Sequence, residues 1–127
     1  MTLTREELLA PREMPREKID VPELGGSVYV RALSGLERDA FEADVFYSRE
    51  KGAAGLRNMR ARLAVRCLCD ERGTLLMTPE DADALGRQHS HAIDVMFQTA
   101  QRLNGIGDHA LTDIKGNSQP ILGDAQS

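Results

Sequence analysis

The chain has 127 residues and a formal net charge of −4, enough for one domain with a modest core and one irregular end. Apolar content is 41%, charged content is 28%, and there are three Phe, two Tyr and no Trp, so a core must come from Leu, Val, Ile, Ala and Met in small helical layers. The slightly acidic balance argues against a dedicated polyanion binder, and the lack of any long apolar run argues against a membrane partner.

Residues 1–17 are charge-dense, are broken by Pro11 and Pro15, and read as an N-terminal arm. Thr4-Arg-Glu-Glu7 has the pattern of a capping box, which allows a short helix over 5–10; a frayed arm is the alternative. Residues 18–105 read as the folded domain. Segments 18–24 and 27–33 flank Gly25-Gly26, a two-residue connection that favours a hairpin. In the second strand Val28, Val30 and Ala32 alternate with Tyr29, Arg31 and Leu33, so one face is apolar and the other mixed. Pro22 lacks a ladder donor, which places the first strand at an edge.

Ser34-Gly-Leu-Glu37 is a second capping box, opening a helix over 36–49. At roughly 100° per residue, Leu36, Ala40, Ala43 and Tyr47 share one side, Phe41 and Val45 share another, and Phe46 stands apart from both. Two readings follow. Either the helix is buried on two sides, or Phe41, Val45 or Phe46 meets a partner. A Gly/Ala break over 51–54 precedes a helix expected over 56–69, with Leu56, Met59, Leu63 and Cys67 on one stripe and Ala61, Ala64, Val65 and Leu68 on a second. Arg57, Arg60, Arg62 and Arg66 ring this helix rather than forming one basic face.

Asp70-Glu-Arg-Gly73 reads as a turn, with Gly73 free to take a positive φ, and residues 74–77 as a short extended run. Thr78 caps a further helix with Pro79 at its first position and Glu80 and Asp81 in its first turn; Gly86 ends it. The last helix begins near 89–91, buries Ile93, Met96, Phe97, Ala100 and Leu103, and stops at Gly105. Periodicity is lost over 106–127, which reads as a flexible tail.

None of these elements assembles a reaction centre. His89-Ser-His91 has an i, i+2 spacing that sends the imidazoles to nearly opposite sides of a helix, so chelation there fails. Glu80, Asp81 and Asp83 lack the order of a calcium loop and are explained by the helix dipole. Cys67 and Cys69 are two apart, which suits neither a four-ligand zinc site nor a CxxC pair, and no sequence neighbour offers a base to either thiol. The thiols are expected to be reduced, in a cytosolic setting. The expectation is a protein with no enzymatic activity, no cofactor and no bound metal.

Several stretches in fixed order carry a resemblance. Ser27-Val-Tyr-Val-Arg-Ala-Leu-Ser-Gly-Leu-Glu-Arg-Asp-Ala-Phe-Glu42, Ala61-Arg-Leu-Ala-Val-Arg-Cys-Leu-Cys-Asp-Glu-Arg-Gly73, Thr78-Pro-Glu-Asp through Leu85-Gly86, and Ala100-Gln-Arg-Leu-Asn-Gly105 together resemble the small tail assembly chaperones of long-tailed bacteriophages and prophages. The likeness spans residues 21–105. It implies a protein of the host cytoplasm, absent from the mature virion, that binds the helix-rich tape measure protein and helps tail tube subunits polymerise around it. It also implies self-association, with neither nucleic acid nor membrane as a partner. The family has no catalytic residues to carry over. Two departures stand out: the tail holds only three acidic residues, and His89-Ser-His91 replaces a bland Ser/Ala-rich helix start.

The expected architecture is α+β, a small antiparallel hairpin or sheet packed on about four short helices. Binding is expected to set apolar anchors of the tape measure against Phe41, Val45 and Phe46, with Arg57 and Arg60 at the rim. A structural head–tail connector and a small helical DNA-binding regulator are the rival readings. The second is weakened because the long helix after Gly86 carries Asp94 and only one arginine, Arg102.

Overall fold

Local signals and tertiary pairing agree over most of the chain. The computed structural model describes residues 1–106, the Leu56 side chain excepted. The tail expected beyond Ile106 lies outside the described residues. The elements are α1 (Arg5–Leu9), β1 (Arg16–Val21), β2 (Gly26–Arg31), α2 (Gly35–Arg49), α3 (Met59–Val65), β3 (Leu68–Cys69), α4 (Ala82–Leu85) and α5 (Ser90–Asn104). The fold is α+β, with one antiparallel sheet in the order β1-β2-β3.

Both capping boxes form. The Thr4 hydroxyl accepts the Glu7 N–H at 3.1 Å while Glu7 Oε1 accepts the Thr4 N–H at 2.9 Å. Ser34 and Glu37 repeat the exchange at 3.1 and 2.9 Å, satisfying N–H groups that the first turn of α2 leaves without intrahelical partners. Helix α1 has no buried residue, and Leu8 and Leu9 stand open to solvent.

The hairpin differs from its expected form. Strand β1 begins at Arg16, inside the stretch read as arm, and Val21 pairs with Gly26. A 3-10 turn, Pro22–Leu24, followed by Gly25 at φ +81°, makes the connection. Pro22 supplies the fixed φ of that turn, so it closes the strand rather than sitting within it.

The segment expected as one helix over 56–69 is divided three ways. Gly52–Leu56 forms a 3-10 turn, and Asn58 takes a left-handed φ of +61°, so α3 starts only at Met59. At the other end the N–H groups of Arg66 and Cys67 bond three residues back, to Leu63 and Ala64, and the helix tightens and stops. Leu68 and Cys69 then pair with Val30 and Tyr29. Sheet pairing has overridden an apolar pattern that fits a helix equally well. The 70–73 turn forms as expected, with Gly73 at φ +88°, and folds Leu75 back beside Cys69.

One core joins these layers. Val21 and Val30 from the sheet and Leu33 just beyond β2 meet Phe41 and Val45 of α2, the inner face of α3, and Ile93, Met96, Phe97 and Ala100 of α5. Ile106, read as the first tail residue, is 2% exposed and belongs to this core. Arg31 lies on the mixed side of β2 yet is buried, because Glu37 Oε2 at 2.7 Å and the Ala32 carbonyl at 3.2 Å take its Nη groups.

Candidate partner-binding face

Helix α2 decides where a partner can sit. Phe41 and Val45 are both 0% exposed, so two of the three aromatic or aliphatic anchors expected to meet a partner are core residues. The sequence pattern showed two stripes about half a turn apart, and the β-branched and aromatic pair took the interior. The opposite stripe is left in solvent: Leu36 is 84% exposed and Tyr47 75% exposed, with Ala40 and Ala43 open between them. Phe46, the third expected anchor, is exposed at its edge, with the Arg49 guanidinium 5.2 Å from its ring centroid. The stripe is about 16 Å long at 1.5 Å per residue.

This helix is held firmly from behind. Arg66 lies over the Phe41 ring at 5.5 Å and reaches Asp44 at 3.6 Å. Arg62 Nη1 donates to Ser48 Oγ at 3.0 Å, and Arg38 Nη1 donates to the Asn104 carbonyl at 2.7 Å. Glu37 is pulled two ways: burial works to raise its pKa, but the Ser34 N–H and the Arg31 guanidinium outweigh that, and its carboxyl stays below the ordinary range.

The arginines do not ring one helix evenly. Arg57 and Arg62 converge with Arg87, a residue the sequence did not single out, on a cavity of about 630 Å³ that also holds Asn58, Asp83 and Gly86. Arg60 faces a neighbouring cavity of about 340 Å³ that shares Asn58 and Gly86, and it stands 4.0 Å from Asp94. Asn58 is the only non-glycine residue with positive φ among the described residues, and its Nδ2 donates to the Ala82 carbonyl at 2.7 Å. Gly86 packs so closely on it that an added Cβ would lie 2.1 Å from Asn58 Oδ1.

Comparison with protein-family models, curated proteins and solved structures finds no match to this chain.

The remaining chemistry-bearing side chains have structural employment. Both cysteines are buried, and burial pushes the Cys67 thiol up to about 12, the opposite of nucleophile activation. Cys69 is raised for the same reason. His89 Nδ1 accepts the His91 N–H at 3.0 Å as a helix cap, and His91 Nδ1 stands 2.6 Å from Glu23 Oε2. Asp81 Oδ2 accepts the Thr78 N–H at 2.9 Å. Among the described residues no three His, Cys, Asp or Glu side chains come together as a metal site, and no helix is long and apolar enough to cross a membrane.

Proposed function

We propose that this protein is a non-enzymatic assembly chaperone of a long-tailed phage or prophage, holding helical segments of the tape measure protein in the host cytoplasm until tail tube subunits enclose them. The observation that carries this reading is the outward stripe of α2, Leu36, Ala40, Ala43 and Tyr47, opposite a fully buried Phe41 and Val45. An apolar ridge at i, i+4, i+7 and i+11 is the surface on which a second amphipathic helix lays its own apolar face. The ordered resemblance over residues 21–105 gives that helix its source. Self-association belongs to the same reading: Leu3, Leu8 and Leu9 of the arm are 57–64% exposed, a second apolar surface open to another copy.

Co-expression with the tape measure protein encoded nearby tests it. The wild-type chain is expected to recover soluble tape measure in a complex, and Leu36→Ser with Tyr47→Ser is expected to lose it without loss of helix content. An insoluble tape measure in the presence of the wild-type chain rejects the chaperone reading. Recovery that persists in the double variant moves the binding face elsewhere. Mass spectrometry of purified virions separates a chaperone, which leaves, from a head–tail connector, which stays.

A further inference from the structure

Helix α2 exposes more than its outward stripe. Leu36, Asp39, Ala40, Ala43, Phe46 and Tyr47 all stand in solvent, and at roughly 100° per residue they fill one sector of about 120°. Phe46 forms the edge of that sector nearer Arg38, about 80° round the helix from it. Helix α5 ends against the Arg38 side. Arg38 Nη1 donates to the Asn104 carbonyl at 2.7 Å, and Asn104 Oδ1 accepts the Leu33 N–H at 2.6 Å. Gly105 then turns the chain at φ +66°, and Ile106 enters the core with its N–H on the Gln101 carbonyl at 2.8 Å. The chain therefore leaves α5 beside the first turn of α2, on the flank that borders the exposed sector.

The continuation to Ser127 carries its large apolar residues in two places, Leu111 with Ile114 and Ile121 with Leu122. The first place has sequence signals of a helix at both ends. Asp108 stands where a cap would, Lys115 in the last turn and Gly116 at the stop. Leu111 and Ile114, three apart, fall on one face of such a helix. A helix of about two turns does not hold in water by itself, so its formation requires a surface for that apolar pair.

Reach and tethering decide which surface. Phe46 lies eight residues beyond Arg38, about 12 Å along the helix. From Ile106 the chain can extend about 17 Å to Leu111 and about 27 Å to Ile114, enough to come alongside Phe46. A tether this short holds the pair at about millimolar concentration relative to α2, which a separate molecule at micromolar concentration does not match.

We propose that segment 108–116 packs as a short helix on the exposed sector of α2, with Leu111 and Ile114 seated against Ala43, Phe46 and Tyr47. The occupant of this face in the isolated chain is then the chain's own continuation. The inference shares the α2 face with the reading above and needs no tape measure protein. For any helix that docks there the segment is a competitor, and the ligand's apparent affinity falls with the fraction of chains whose face is open.

The test is paramagnetic broadening of amide signals in the full chain. A spin label is attached at Asn117→Cys, just past the segment; the native Cys67 and Cys69 are buried. The label is expected to erase the amide signals of Ala43, Phe46 and Tyr47. Adding Leu111→Ser with Ile114→Ser should restore them, since the same tether then lacks its anchors. The core amides of Val30 and Leu63 report the fold in the same spectra.

A second sample mixes spin-labelled chain without the nitrogen isotope and unlabelled chain carrying it. Its α2 signals should stay intact. Signals of α2 untouched by the label in the first sample, or broadening that persists in the serine variant, overturn the proposal. Equal broadening in the mixed sample also overturns it and gives the face to a second copy. Because the chain is tested alone, failure here strikes this inference, and failure of co-expression strikes the chaperone reading.

Discussion

Asn104 Oδ1 accepts the Leu33 N–H at 2.6 Å, joining positions 71 residues apart at the corner where the sheet gives way to α2. The same side chain donates to the Ala100 carbonyl at 2.8 Å, and its own carbonyl receives Arg38 Nη1 at 2.7 Å. One residue at the end of α5 therefore fixes the start of α2. Asn104→Ala leaves the Leu33 N–H unpaired in a part-buried setting and is expected to lower stability by about 1–3 kcal/mol. Urea denaturation followed by circular dichroism reads that loss as a lower midpoint.

The two faces of α2 separate cleanly by mutation. Phe41→Ala opens a cavity in the core and is expected to cost about 3–5 kcal/mol. Phe46→Ala and Tyr47→Ser remove exposed side chains and should stay within about 0.5 kcal/mol of the wild type. Thermal melts of the three variants check this, and a large loss for Tyr47→Ser would remove the exposed face from consideration.

Acid sensitivity has a definite sign. The folded-state pKa of Glu37 lies below its ordinary 4.5, so its stabilising contribution is complete above that value and is lost as the pH falls through the folded value. Glu17 and Glu23 are lowered as well, by Arg102 in the first case and in the second mainly by the hydrogen bond from its own backbone N–H, then by the His91 side chain. Stability is therefore expected to fall below about pH 4.5. Glu37→Gln should lower stability at neutral pH and flatten part of that acid limb, measured as the urea midpoint against pH.

Gly86→Ala places a methyl group where Asn58 now lies, 2.1 Å from Oδ1 and 2.7 Å from Cγ. Relief requires Asn58 to swing away from the Ala82 carbonyl. The expected cost is about 1 kcal/mol, one net hydrogen bond. The same movement reshapes the wall shared by the two cavities, and the urea midpoint reads the loss.

Sequence reading reached the elements whose signals are local. Both N-terminal caps, the 70–73 turn and the Gly105 stop depend on neighbours within four residues, and all form; the Thr78 start forms too, but as a 3-10 turn over Pro79–Asp81 that leads into α4. It failed where two answers share one pattern. Residues 67–69 are apolar in a run that suits a helix or a buried strand, and only pairing with Tyr29 and Val30 decides. The two stripes of α2 are likewise symmetric in sequence; which one faces inward depends on where α3 and the sheet lie. Arg87 was invisible for a related reason, since it is 30 residues from Arg57 and only the fold brings them to one cavity.

The anchoring of α2 has a thermodynamic consequence. A helix clamped by Glu37 at its first turn, by Arg66 at its middle and by Ser48 near its last turn has little freedom left to lose when something docks on it. The ordering entropy of association then falls almost wholly on the incoming chain. A floppy, half-helical ligand would bind with a large negative heat capacity change and modest affinity, and it would leave quickly. Those are the kinetics that the proposed holding role would require.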